Sequence, residues 1–315
     1  MRFLFFILKM GAIKSEDWKG YLWALIGTAA FSSLYVFSKA SLNQVSLAQF
    51  GLYYFGIGFM LNFSLVLISG KFKQIVRLPK KVIYLLLVLA ALDLASNVTF
   101  FLAIHAIADP SVTSFLGNLF PVFLTSLSII FLKERFSLVE AVGGILAISG
   151  AFIISFTGDP DWHKFFIPGT GWVVVNTFLA AAFSVIVKKN IDRASPEIFN
   201  LNSNAWIFLV FLGYFLYSGE SAVISANALF NISAGAFFGA FVGLLSFYYS
   251  YRYIPASRSS IVQSLKGIFV LVIAFIYFGT LPQSVQLIGG AVTIAGVMVM
   301  TMSQAGILKF GKKRK

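Results

Sequence analysis

Residues 131–154 read FLKERFSLVEAVGGILAISGAFII, and residues 277–300 read YFGTLPQSVQLIGGAVTIAGVMVM. Gly143, Gly144 and Gly150 of the first stretch recur as Gly289, Gly290 and Gly296 of the second, at a constant offset of 146. The same offset, with no gap, pairs Ser111 with Ser257, Ser114 with Ser260, Leu119 with Leu265, Phe123 with Phe269 and Ile130 with Ile276. Towards the front of each half, Gly20, Trp23, Thr28, Val36 and Lys39 match Gly169, Trp172, Thr177, Val185 and Lys188 at an offset of 149. A nearly constant offset over so long a stretch marks an internal repeat.

The composition says what kind of unit is repeated. Of 315 residues, 59% are hydrophobic and only 11% charged, too little polar surface for a soluble domain. Ten apolar runs, near 20–40, 47–69, 82–104, 110–132, 138–156, 169–188, 197–217, 230–251, 257–278 and 284–303, are each about long enough to cross a hydrocarbon core of roughly 30 Å. Backbone polar groups find no water there, so the runs must be helices. The expected fold is all-α and integral to the membrane, with ten transmembrane helices in two five-helix repeats. The expected divisions are an N-terminal segment 1–19, a first repeat 20–156, a second repeat 169–303 and a basic tail 304–315. RFLFFILK near the start is too short for a signal-peptide core. Met10 opens a more ordinary beginning, so either methionine could be the true start.

The charge balance of +13 is a topology signal. Assigned alternately to the two sides of ten spans, 21 of the 24 basic residues fall on one side: the N-terminal segment, the loop from Lys71 to Lys81, Lys133 and Arg135, Lys188 to Arg193, Arg252 and Arg258, and the tail. The other side receives Lys39 and Lys164. This positive-inside pattern is expected to put both termini on the cytoplasmic side, with anionic lipid headgroups meeting the basic segments; the expected location is a bacterial inner membrane. Basic residues spread over six short segments do not make a nucleic-acid face. There are no cysteines, which excludes disulfides and thiolate metal sites. His105 and His163 fall at or near outer loops. No metal or catalytic constellation assembles, no P-loop is present, and neither enzyme activity nor a cofactor is expected.

Five spans per half is an odd number, so the second half enters the membrane from the opposite side. The halves are therefore expected to be inverted repeats, an architecture of secondary transporters whose substrate site lies near the midplane at the repeat interface. Ten spans in two halves, the KERFSL turn (Lys133 to Leu138) and the paired GG-x5-G pattern closing each half resemble the drug/metabolite transporter superfamily, EamA type. The resemblance covers about residues 20–303. It implies a central cavity lined by helices of both halves, with the last span of each half at the periphery. It fixes the solute poorly. The family often carries Glu-Pro in the middle of the ninth span; here that position reads Lys266-Gly267, and its repeat equivalent is Phe120-Pro121. A span-nine lysine is also similar to that of triose-phosphate and nucleotide-sugar transporters, where it meets phosphate.

Lys266 is the candidate at the centre. It lies eight residues beyond Arg258, about 12 Å deep at 1.5 Å per residue; a lysine stem spans about half of that. It can snorkel to headgroups only from a shallow or tilted helix, and a charge at mid-membrane is expected to face the protein interior. Gln263 and Ser264 belong to the polar faces beside it. The fourth span carries Ser111, Ser114, Asn118, Pro121, Thr125 and Ser128 at alternating steps of three and four. Pro121 and Gly267 are candidate hinges, since proline frees a backbone carbonyl there. The third span offers Asp93, Asn97 and Phe100, the first Tyr35, the sixth Asn176. Trp206 and Tyr248 are deep enough to line a cavity. Gly235, Gly239 and Gly243 form a ridge for helix packing.

Asp93 is the one acid well inside a span. Two readings are open: a structural ion pair with Lys266, or Lys266 holding an anionic group of a solute while Asp93 balances it or carries a coupling proton. A phosphate specialist would favour further basic groups, above all Arg, and none lies mid-span. The leading solute is an amino acid or another small carboxylate. A phosphorylated or nucleotide-sugar-like anion, a lipid-linked sugar flippase and a non-transporting scaffold are the rivals. Monomer and homodimer both fit, because ten spans can enclose a cavity unaided.

Overall fold

The computed structural model describes residues 17–132, 137–157 and 166–304. The KERF part of the turn, His163, Lys164, both candidate start methionines and almost all of the basic tail lie outside them. In chain order the helices are α1 (Asp17–Leu42), α2 (Leu47–Ile68), a short α3 (Phe72–Val76), α4 (Lys80–Ala106), α5 (Pro110–Leu116), α6 (Phe120–Leu132), α7 (Leu138–Ser155), α8 (Thr170–Asn190), α9 (Pro196–Ser218), α10 (Ala226–Gly235), α11 (Leu244–Tyr253), α12 (Ala256–Gln263), α13 (Lys266–Phe278) and α14 (Ser284–Gln304). An isolated antiparallel bridge, Phe156 to Phe166, is the extended pairing among the described residues.

Seven helices are long and apolar enough to cross a membrane: α1, α2, α4, α7, α8, α9 and the continuous stretch Ala226–Tyr253 that joins α10 to α11. Lys266–Phe278 and Ser284–Met300 are shorter apolar helices. The difference from the ten expected runs has a physical cause in two of them. Residues 110–132 are interrupted by a 3-10 turn at Gly117–Leu119, and residues 256–278 by a break between Gln263 and Lys266. α5, α6 and α7 begin at 110, 120 and 138; α12, α13 and α14 begin at 256, 266 and 284. The breaks therefore recur at the sequence offset of 146.

Local chemistry explains the helix ends. Ser46 caps α2 and Ser137 caps α7, each in a reciprocal capping box with the third residue of its helix, Gln49 or Glu140. Asp109 caps α5, accepting from Ser111 N at 2.7 Å, with Pro110 in the first turn. Pro121 falls in the first turn of α6, where a missing N–H costs little.

Two antiparallel pairs frame the molecule. α7 and α14 touch backbone to backbone through the repeated glycines. A methyl group added at Gly143 would stand 2.7 Å from Gly296 O, and one at Gly289 would stand 2.9 Å from Gly150 O. α2 and α9 form the second pair. Gly51 and Gly56 receive the rings of Phe211 and Phe208, and the Asn204 amide packs on Gly58. Lys71 Nζ, beyond the end of α2, pairs with Glu197 Oε2 at the start of α9 at 2.6 Å, and Tyr249 OH also donates to Glu197. At the opposite end Ser46 Oγ donates to Glu220. Between the pairs, α1 packs on Ala226–Tyr253 through the expected ridge: Gly239 lies on Leu34 and Tyr54, and Gly243 on Phe31.

Within Ala226–Tyr253 the residues Ala236–Gly243 form a π-helix. Such turns are rare and gather at functional places. The Ala240 carbonyl accepts from three side-chain amides: Asn200 Nδ2 at 3.1 Å, Asn62 Nδ2 at 3.3 Å and Asn204 Nδ2 at 3.4 Å. Asn200 also donates to Asn62 Oδ1 at 2.7 Å.

The α7–α14 contact makes a direct prediction. In Gly150→Ala the new methyl would lie 2.5 Å from Thr293 N and 2.7 Å from Gly289 O, both backbone atoms. Thermal unfolding in detergent should show a loss of about 1–3 kcal/mol, the usual cost of overpacking. Gly213→Ala, with nothing within 4 Å, should be neutral or stabilising by up to about 1 kcal/mol.

Candidate functional site

A central cavity opens between α1, α4, α8, α11 and the two helix breaks. It holds about 970 Å³ of space unfilled by atoms, counted out to its mouth. Each wall follows from helical spacing. From α4 come Asp93, Ser96, Asn97 and Phe100, one turn apart or adjacent on a single face. From α1 come Phe31, Leu34 and Tyr35, and from α8 Asn176, Thr177 and Ser184. α11 supplies Phe247, Tyr248 and Tyr251. The breaks supply Gly117 and Phe120 on one side, Gln263 and Lys266 on the other.

Lys266 is the first residue of α13. Its ammonium stands over the Tyr35 ring, 5.2 Å from the centroid, a cation–π contact that strengthens away from water. Phe100 fixes that ring edge-on, with centroids 4.9 Å apart and planes at 85°. The Lys266 carbonyl accepts from Ser32 Oγ at 3.4 Å, which ties the break to α1. Gly117 borders the ammonium: a methyl there would come 3.5 Å from Lys266 Nζ and 3.3 Å from Tyr35 OH.

Asp93 enters from another wall. Its Oδ1 accepts from Asn97 Nδ2 at 2.9 Å, while Oδ2 is buried without a hydrogen-bond partner. The charged residues lining the cavity are Asp93 and Lys266, and no ion pair joins them among the described residues. The structural-pair arrangement is thus absent from this conformation. Asn176 Nδ2 donates to Ser96 O and Oγ, at 2.7 and 3.1 Å, closing α8 onto α4. Gln263 Nε2 donates to Ser259 Oγ at 3.2 Å and to Tyr251 OH at 3.4 Å.

Seven of the ten expected binding residues therefore share this cavity: Tyr35, Asp93, Asn97, Asn176, Tyr248, Gln263 and Lys266. Three do not line it. Trp206 is 44% exposed and faces outward from α9, because its neighbours Ser203 and Ile207 take the inner face. Asn118 and Ser264 are fully buried within the two breaks, and the Asn118 Nδ2 has no partner. The 3-10 turn winds about three residues per turn instead of 3.6. The fourth-span stripe is therefore carried into the packing, and Gly117 and Phe120 meet the cavity instead. Gly267 serves a close approach as well as a break: a methyl there would sit 2.6 Å from the Phe115 ring. Sequence reasoning missed the π-helix, the Asn62–Asn200–Asn204 cluster and Ser203. Asn200, Ser203 and Asn204, one turn apart in an apolar span, were the available signal.

Comparison with known proteins places this architecture. The model of the EamA-like transporter family matches twice, over residues 18–156 and 167–302. The chain belongs to the EamA-like transporter family. This is a family of transporters, not of enzymes, and the chain is a multi-pass membrane protein. A protein of Streptantibioticus cattleyicolor called a "Probable terminal-alkyne amino-acid exporter" is 25% identical over 189 residues, covering 59% of this chain and 62% of that protein. An "Uncharacterized transporter" of Archaeoglobus fulgidus is 30% identical over 152 residues, 48% of this chain and 52% of that protein. These matches span only about half to three fifths of those relatives. A solved crystal structure has the same fold, with a TM-score of 0.68 at 14% identity over 92% of this chain and 99% of that one.

The absence of an ion pair gives a second prediction. Lys266→Met should shift the thermal unfolding midpoint of the ligand-free EamA-family protein little, whereas breaking a buried pair costs about 3–5 kcal/mol. A drop of that size, recovered by swapping the charges as Lys266→Asp with Asp93→Lys, would restore the structural account.

Proposed function

We propose that this protein is a secondary transporter that moves a small carboxylate-bearing solute, in the first place an amino acid, by alternating access. The observation that carries the reading is Lys266, a cation at a helix break in the central cavity with no carboxylate partner among the described residues. An ionisable group placed there belongs to a substrate pathway by default. A carboxylate bound to Lys266 would complete its missing ion pair, with the N-terminus of α13 adding a favourable dipole. Asn97, Asn176 and Gln263 offer polar contacts to the rest of the solute, and the rings of Phe31, Phe100 and Phe247 suit an apolar side chain. The name of the Streptantibioticus relative agrees with an amino-acid solute.

In this reading the chain has ten spans in two inverted five-helix halves, residues 20–156 and 169–303, with both termini on the cytoplasmic side of a bacterial inner membrane. The recurrence of both helix breaks at an offset of 146 supports the repeat. So does the meeting of equivalent helices in the pairs α2–α9 and α7–α14. The gathering of Lys73, Arg77 and Arg193 around one surface hollow supports a single basic, cytoplasmic face. Inverted halves supply the two mirror-related conformations that alternating access requires. Direction, export or exchange, follows the gradients acting on the solute and on the charge that balances it at Asp93, a proton or another cation.

The test is a thermal-shift screen of the purified protein with amino acids, carboxylates, sugar phosphates, nucleotide sugars and organic cations. A true solute at a hundredfold excess over its Kd should stabilise by about 2.7 kcal/mol. The shift should vanish in Lys266→Ala, and so should flux into proteoliposomes, while the variant still inserts and folds. A stabilising cation whose effect survives Lys266→Ala, or undiminished flux in that variant, would overturn the assignment of Lys266 as the counter-ion.

A further inference from the structure

A second hollow lies where the chain turns between spans. It is lined by Lys73, Gln74 and Arg77 from the α2–α4 connection and by Arg193 from the α8–α9 connection, over an apolar floor that includes Leu78 and Ile198. It holds about 630 Å³ of space unfilled by atoms, counted out to its mouth, and has none of these residues in common with the central cavity. Among the described residues, three cations and no acid line it, and none of the three has an ion pair. The neighbouring carboxylates serve other groups: Glu197 takes Lys71 and Tyr249, and the charge of Asp192 acts on Lys188. Like charges around one concavity focus a positive potential into it, and an anion there would relieve their repulsion.

The residue types narrow the anion. Two arginines present forked donors that match the oxygens of a phosphate, and lysine adds a point charge. One cation balances one carboxylate; three suit a group with several charged or polar oxygens. Position in the fold narrows its source. α2 and α4 are both long enough to cross the membrane, so α3 between them runs at its surface. Lys73, Gln74 and Arg77 share one face of that short helix. Phe72 and Val76, one turn apart beside them, are left 43% and 75% exposed. Ile75 and Leu78 pack against the core. Phosphate-binding groups thus stand next to bare apolar ones at a lipid boundary, a surface that fits a molecule with an anionic head and apolar chains.

We propose that this hollow binds the phosphate headgroup of an anionic membrane lipid. Membrane embedding and local charge carry the site, whatever solute the central cavity takes. Lys73 and Arg77 lie in the first family-matched segment and Arg193 in the second. One headgroup would therefore be held from both halves of the chain at once, and its binding would stabilise the folded protein.

The experiment is native mass spectrometry and thermal unfolding of the delipidated full-length protein in detergent, with dioleoyl phosphatidylglycerol, dioleoyl phosphatidylcholine or inorganic phosphate added. Phosphatidylglycerol should bind saturably and raise the unfolding midpoint. Phosphatidylcholine, with the same chains and no net charge, should do neither. Lys73→Gln, Arg77→Gln and Arg193→Gln should each weaken phosphatidylglycerol binding by about fivefold, the worth of one basic residue near an anionic surface. Lys80→Gln and Lys81→Gln, exposed residues nearby that do not line the hollow, should leave it unchanged. Lys266→Ala should also keep it, so the lipid site and the solute reading fail separately. Equal effects of the two lipids, or equal weakening by the Lys80 and Lys81 variants, would overturn the site in favour of diffuse attraction to the surface. Stabilisation by inorganic phosphate that matches the lipid and is lost in the arginine variants would overturn the lipid as occupant and give the hollow to a free phosphate compound.

Discussion

In a bilayer the backbone must satisfy itself, because no water is present to do so. That one constraint decides where this chain can depart from regular helix. It departs at Gly117–Leu119, between Gln263 and Lys266, and along the π-helix Ala236–Gly243. The first two departures border the cavity. The π-helix turns Ala236, Gly239, Ala240 and Gly243 inward and leaves Phe237 and Phe238 exposed. The third is bound by amide side chains of Asn62, Asn200 and Asn204 that deliver their protons to Ala240 O. The exposed surface carries Phe, Leu, Ile and Val side chains, most of them on regular helix.

The breaks also explain how a lysine is tolerated here. Lys266 occupies a helix start rather than a helix middle. Its charge lies over the Tyr35 ring and faces a hollow, not hydrocarbon. Its carbonyl is held by Ser32. Phe115 presses on the glycine that follows it, so the position of the break is set by packing from α5. The charge is placed by structure that was built around it, and the cost of burial is limited by the open cavity in front.

Much of this was readable from residue order. The apolar runs located the helical segments, and the spacing of Asp93, Asn97 and Phe100 put them on one face that the structure turns inward; that two of the ten expected spans are interrupted was not read from them. The helical period failed where the helix did. Asn118 and Ser264 sit within turns that a spacing of 3.6 cannot describe, so their side chains rotate into the packing. Trp206 was misplaced for another reason: depth along a span says nothing of direction around it, and Ser203 and Ile207 hold the inner face of α9. The Ser203 and Asn204 cluster was hidden because it meets Asp93 only in the fold, across a long stretch of chain.

The pair α2–α9 carries one more implication. It is fastened near both membrane surfaces, by Lys71 with Glu197 at one end and Ser46 with Glu220 at the other, and glycine-to-ring contacts fill its middle. Helices clamped at both ends behave as a single strut. In the proposed alternating-access cycle, rocking of the halves would pivot against this strut rather than part it.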